Sequence, residues 1–84
     1  MNDSFGDIRA VLADIVDQIS SAYQHAGIAR ARLIDAVAVL TELSAQHSES
    51  LVPFELCRAN QELERGLQFI SDGATAVAGI AARL

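Results

Sequence analysis

Few side chains in this chain of 84 residues are able to do chemistry, since it has two histidines and one cysteine. His47 and Glu49 precede Cys57 by a short stretch, so a base, a carboxylate and a thiol nucleophile occur close together in sequence. Such groups catalyse only when a fold holds them at hydrogen-bonding distance, and nothing around them indicates a pocket-forming architecture. We therefore predict no catalytic residue and a non-enzymatic protein.

Metal and cofactor chemistry is also disfavoured. His25 and His47 lie 22 residues apart, and no cysteine or carboxylate stands at a spacing typical of zinc ligands. Cys57 has no intrachain disulfide partner, and its place in an apolar pattern predicts a buried free thiol. We predict no metal, no cofactor and no small-molecule substrate.

The charge of the chain argues against nucleic acid as a partner. Its formal net charge is −5, and its six basic residues are all arginine. Binding to phosphate backbones is driven by cationic contacts, which an acidic chain provides poorly. No uncharged stretch, 73–82 included, reaches the roughly 20 residues that cross a bilayer. The acidic first residues do not resemble a cleaved signal, so we expect a cytoplasmic protein, with signal-less secretion left open.

A long first helix is predicted from about residue 4 to about residue 46. Its apolar residues recur at alternating steps of four and three, a period typical of helices that supercoil against a partner. Asp3 or Ser4 is expected to cap its first turn. This first seam consists of Ile8, Leu12, Ile15, Ile19, Ala22, Ala26, Ala29, Leu33, Ala36, Leu40 and Leu43.

A second helix is predicted from about residue 51 to about residue 83, after a loop at about 47–50. Ser50 is expected to be its N-cap, which would place Pro53 in the first turn, where its missing N–H costs no helical hydrogen bond. Intrahelical ion pairs are expected among Glu55, Arg58, Glu62 and Arg65. The second seam consists of Leu56, Asn60, Leu63, Leu67, Ile70, Ala74, Val77, Ala81 and Leu84.

The two seams predict an all-α fold, an antiparallel two-helix hairpin forming a single domain over residues 1–84. The first helix is longer and is expected to overhang the second near Phe5, Ile8 and Val11. Apolar residues beside the first seam widen its stripe beyond what one helix covers, so we expect a four-helix bundle formed by dimerisation. These flanking residues are Val11, Val16, Tyr23, Ile34, Val37 and Val39.

Two positions leave alternatives open. The small residues around Gly27 indicate either close packing opposite a bulky layer that includes Phe69, or a hinge that would divide the first helix. Asn60 either occupies the seam, where a buried Asn fixes register and partner number, or points to water while Ala59 takes the core position.

In length, alanine content and absence of a signal, the chain resembles small actinobacterial hairpin proteins of the WxG type, substrates of type VII secretion and their relatives. It lacks a Trp-x-Gly at the turn, where it has 46–50, and lacks a Tyr-x-x-x-Asp/Glu motif in 79–84. The resemblance implies a dimeric hairpin and signal-less export.

We therefore predict a protein–protein interaction module that pairs with itself or with a similar hairpin. The alternative is a regulatory or antitoxin-like module that binds a larger partner protein, and a further alternative is a WxG-like secreted hairpin. The predicted interaction residues are Phe5, Ile8, Leu12, Ile15, Ile19, Leu33, Leu40, Leu63, Leu67, Ile70 and Val77.

Overall fold

The computed structural model describes residues 4–84 and contains two α-helices, α1 (Ser4–Ser44) and α2 (Phe54–Ala82), packed against each other. The Arg9 guanidinium donates a hydrogen bond to the main-chain oxygen of Leu84, and Arg30 pairs with Glu64. Both contacts require an antiparallel arrangement in a single register. The predicted all-α two-helix hairpin is confirmed, and residues 4–84 contain no strand.

Helix α1 runs through Gly27 without interruption. The glycine is surrounded by alanine and other good helix formers, which maintain the helix although glycine itself costs about 1 kcal/mol relative to alanine. Residues 4–84 therefore form two helices and not three. Asp3, one of the two residues expected to cap α1, lies outside the described residues.

The end of α1 is tied to the loop by Ser44. Its Oγ donates to the carbonyl oxygen of Leu40 at 2.7 Å and accepts a hydrogen bond from the backbone N–H of Leu51, also at 2.7 Å. Helix α1 ends at Ser44, two residues before the expected position, and the Ser44 side chain connects its last turn to the loop. The loop then occupies 45–53.

The expectation that Ser50 caps α2 is wrong. The N-cap is Pro53, in an extended conformation with φ −65° and ψ 136°, and no side chain caps the helix. A residue before proline is pushed out of the helical region, so the helix cannot begin before Pro53. Ser50 instead stabilises the loop, because its Oγ accepts a hydrogen bond from the backbone N–H of Val52 at 3.2 Å.

The interface between the helices matches the predicted seam on α2. On α1 the residues that contact α2 are rotated about the helix axis relative to the predicted seam. All nine predicted seam residues of the second helix are half-buried, including Asn60. On α1 six of the eleven predicted seam residues, the row from Ile8 to Leu43 at seven-residue spacing, are instead exposed and lie beside the interface. The half-buried residues of α1 from position 12 onward are Leu12, Val16, Ile19, Ala26, Gly27, Arg30, Leu33, Val37, Leu40 and Ser44.

None of the residues 4–84 is fully buried. The hairpin is a rod of 72 × 14 × 14 Å with a radius of gyration of 19.6 Å, whereas a compact chain of this length has a radius near 12 Å. The residues between the two helices are therefore only partly shielded from solvent. Neither described helix combines the length and the apolarity that a bilayer crossing requires.

Candidate interaction surface

The predicted interaction residues fall into two groups. Phe5, Ile8 and Ile15 are exposed, while the others are half-buried between α1 and α2. Only the exposed group is available to a partner without opening the hairpin. The half-buried group consists of Leu12, Ile19, Leu33, Leu40, Leu63, Leu67, Ile70 and Val77.

A polar layer interrupts the apolar seam near its middle. Arg30 occupies a seam position on α1 and reaches Glu64, with Nη2 3.5 Å from Oε2. The Arg30 Nε and the Asn60 Oδ1 are shielded from solvent and have no hydrogen-bond partner among the described residues. Sequence periodicity located Asn60 but missed Arg30, because an arginine does not register as a seam residue.

The two flat sides of the hairpin differ in chemistry. Ser20 follows the seam residue Ile19, Ser71 follows Ile70, and both serines line one open groove. Residues one position after a seam residue, as these two serines are, form one side of the hairpin. We call this side the serine face, and it contains both polar and apolar side chains. At seven-residue spacing it consists of Ala13, Ser20, Gly27, Ile34 and Thr41 on α1 and Cys57, Glu64, Ser71 and Ala78 on α2.

On the opposite side, the two rows of residues 4–84 that flank the seam carry no polar side chain. This side is formed by residues one position before seam residues such as Val16 and Ala74, and we call it the apolar face. Ile8, Leu43 and Ile80 are 45%, 50% and 44% exposed there. The apolar face consists of Ile8, Ile15, Ala22, Ala29, Ala36 and Leu43 on α1 and Ala59, Gly66, Gly73 and Ile80 on α2.

A second apolar patch lies at the open end of the hairpin, where α1 extends slightly beyond α2. A shallow depression there is lined by Asp7, Ile8, Val11 and Leu12. The side chains of Phe5 and Val11 are 59% and 60% exposed. Since Arg9 already lies beside Leu84, the overhang of α1 is only the few residues before it.

Several packing expectations are wrong. Phe69 does not form a bulky layer opposite the alanines of α1, because it is 67% exposed. Gly27 is not required by the packing of the hairpin, since a Cβ added there would meet nothing within 4 Å. The expected intrahelical ion pairs of α2 do not form within residues 4–84, where Arg30–Glu64 is the pair observed.

The cysteine and the two histidines considered above for catalysis or metal binding are all exposed to solvent. Cys57, expected to be buried, is exposed, because it follows the seam residue Leu56 and lies on the serine face. His25 and His47 are also exposed. Among the described residues no group of three or more His, Cys, Asp or Glu side chains is placed to hold a metal ion.

The α2 row of the apolar face was missed by sequence reasoning. Ala59, Gly66, Gly73 and Ile80 recur every seven residues, one position before the second seam, and that spacing was the available signal. Small side chains contribute little to hydrophobic periodicity, which is why the row is inconspicuous.

Comparison with known proteins gives no relative, since no protein family, curated protein or solved structure matches this chain. The resemblance to WxG hairpins therefore stays a prediction.

Proposed function

We propose that the chain is a non-enzymatic protein–protein interaction module in which two hairpins pair to form a four-helix bundle. The observation that carries this proposal is that no residue between 4 and 84 is fully buried although half of the sequence is hydrophobic. A second hairpin would complete the core that one hairpin leaves half exposed.

Surface area supports a partner of this size. The chain exposes 6402 Å², whereas a compact monomer of 8.9 kDa exposes about 4,800 Å². The excess is about 1,600 Å² per chain and about 3,200 Å² for two chains. Obligate homodimers bury roughly 2,000–5,000 Å² in total, so one dimer interface accounts for the excess.

The distribution of apolar residues supports a bundle. A hairpin that functions alone needs apolar residues on one stripe of each helix, whereas a helix in a four-helix bundle contacts two neighbours and needs a wider stripe. Helix α1 has such a stripe, since the row containing Ile8, Ile15 and Leu43 lies beside the seam and is exposed. Two-fold pairing is the commonest way for soluble chains to cover such a surface.

Thermal unfolding at several protein concentrations tests the proposal. If only the dimer is well folded, mass action makes the midpoint temperature rise as concentration increases from about 1 to about 100 μM. A fully helical chain whose midpoint is independent of concentration would contradict the proposal, since a stable lone hairpin has a concentration-independent midpoint.

The second candidate is a regulatory module that captures a larger protein through the open end. Phe5 and Val11 favour it, because both are largely exposed beyond the main body of the helix pair. Phe5→Ser discriminates between the two candidates, because Phe5 is largely exposed and lies outside the rows that would pair two hairpins. Self-association should survive this change if the bundle is the function, and capture of a larger partner should be lost if the second candidate is correct.

A further inference from the structure

We infer that the apolar face is the surface on which a second copy of this chain docks, with the loops of both copies at the same end of the bundle. This inference rests on the proposed function and adds the face and the orientation. It requires that the apolar face is suited to another hairpin, that the serine face is not, and that the rim of the face selects one orientation.

The two faces differ in what a second hairpin would desolvate. Docking on the serine face would cover the hydroxyls of Ser20 and Ser71 and the charged Glu64 of the Arg30–Glu64 pair, and removing hydroxyls and charges from water is costly. Docking on the apolar face covers only aliphatic side chains and glycine. The hydrophobic gain is therefore largest on the apolar face.

The size of the side chains varies along the apolar face. Ile8, Ile15 and Ile80 lie near the open end, and Leu43 lies near the loop. The middle of the face contains only small residues: Ala22, Ala29, Ala36, Ala59, Gly66 and Gly73. Small residues in the middle allow two helix pairs to approach closely while the larger side chains close the ends of the interface.

The glycines of α2 fit a second backbone. A Cβ at Gly66 or Gly73 would meet nothing within 4 Å in the hairpin, so its own packing does not require glycine there. Glycine destabilises a helix interior relative to alanine. Gly27 on the serine face is equally open, so Gly66 and Gly73 permit the close approach of another helix while the aliphatic character of the surrounding rows selects the face.

The occupant is a second copy because the area and the shape agree. The excess surface of two chains is about 3,200 Å², within the range that obligate homodimers bury. A face that is small in the middle and bulky at both ends is also complementary to itself. A self-complementary patch is what a two-fold interface requires.

Charges on the rim select the orientation. The register places Arg32 of α1 and Glu62 of α2 at the same level, both exposed and unpaired among residues 4–84. With the loops at the same end, α1 of one copy lies against α2 of the other, so each Arg32 faces the other copy's Glu62. The symmetric dimer would contain two such pairs.

The opposite orientation leaves Arg32 without a partner. With the loops at opposite ends, α1 lies against α1 of the other copy. Neither the α1 row of the apolar face nor its rim contains a carboxylate, so no position of the two-fold axis pairs Arg32 with an acidic group. The rim of α1 consists of Val11, Gln18, His25, Arg32 and Val39.

Two glycines at the same level provide a matched test of the face. Gly27 lies on the serine face and Gly66 on the apolar face, and both have open space beside them. Gly66→Glu should raise the dimer dissociation constant at least about a hundredfold, because it buries an unpaired charge, while Gly27→Glu should change it less than about threefold. Equal effects of the two variants, or a larger effect of Gly27→Glu, would overturn the inference.

A distance between the loops tests the orientation. One spin label at Glu49→Cys, in a chain that also carries Cys57→Ser, reports the separation of the two loops by pulsed electron paramagnetic resonance. Loops at the same end give roughly 20–30 Å, and loops at opposite ends give roughly 60 Å, from helix diameter and helix length. The longer distance would overturn the inferred orientation.

The outcomes separate the inference from the proposed function. A native chain that stays monomeric in these measurements contradicts both. A native dimer that tolerates Gly66→Glu, or that has its loops at opposite ends, contradicts the inference alone and leaves the interaction module standing.

Discussion

Arg30 on α1 and Glu64 on α2 join the two helices, with Arg30 Nη2 3.5 Å from Glu64 Oε2. The arginine reaches this partner from within the seam, so its stem lies among aliphatic residues while its charged end lies at the edge. The pair and the Arg9–Leu84 hydrogen bond are met by one register of the helices. Arg30 thus aligns the hairpin but weakens its apolar seam.

Arg30→Leu is expected to stabilise the fold by about 1 kcal/mol. The variant loses a partly exposed ion pair, worth at most about 1 kcal/mol, and removes a shielded Nε without a partner, while adding aliphatic surface to the seam. Urea unfolding followed by circular dichroism measures the change. Arg58→Leu, at an exposed position, is the control and should change stability little; a destabilised Arg30→Leu variant would show that the ion pair outweighs the seam.

Asn60→Leu is expected to raise the midpoint temperature and to broaden the distribution of oligomers. Its Oδ1 is shielded without a hydrogen-bond partner, so the substitution removes a desolvation cost, but a seam Asn also restricts register and partner number. Native mass spectrometry resolves the oligomers. Gln61→Leu on the exposed side is the control, and a variant that remains a single species would remove the specifying role of Asn60.

Ser44→Ala is expected to cost about 1 kcal/mol of stability, because the backbone N–H of Leu51 loses its acceptor at the end of α1. Thr41→Ala is a matched control, since the Thr41 hydroxyl donates to the Val37 carbonyl as Ser44 does to Leu40 but has no bond to the loop. Chemical denaturation compares the two variants. Equal losses would mean that the loop contact does not stabilise the hairpin.

Reversing the rim charges tests the pairing of two copies. Arg32→Glu alone and Glu62→Arg alone should each weaken the dimer severalfold, because like charges then meet across the interface. The double variant should restore the native dissociation constant, as measured by sedimentation equilibrium. If the loss of dimerisation free energy in the double variant equals the sum of the losses in the two single variants, Arg32 and Glu62 do not face each other.

Periodicity predicted the fold because helices of this kind are specified by apolar spacing alone. On α2 the contrast between aliphatic seam residues and charged neighbours such as Arg58 and Glu64 was sharp, and all nine predicted seam residues are half-buried. On α1 two rows of apolar residues could each pack against α2. The row that does so contains Arg30, which interrupts its apolar spacing and made the row less evident in the sequence. Tertiary packing, which spacing does not specify, decided between the two rows.

The loop and the interaction surface were less accessible to sequence reasoning. The start of α2 depends on the restriction that Pro53 places on Val52, which prevailed over the capping preference of Ser50. The apolar face depends on which residues share a side of the hairpin. That relation follows from the register between the helices and cannot be obtained from either helix alone.

The most direct test of the central claim is the mass of the native chain in solution, measured by size-exclusion chromatography with light scattering at low micromolar concentration. We expect twice the chain mass of 8.9 kDa, with a helical circular dichroism spectrum. A helical species of 8.9 kDa at the same concentration would contradict the claim, because it would show that one hairpin is stable with its apolar face in water.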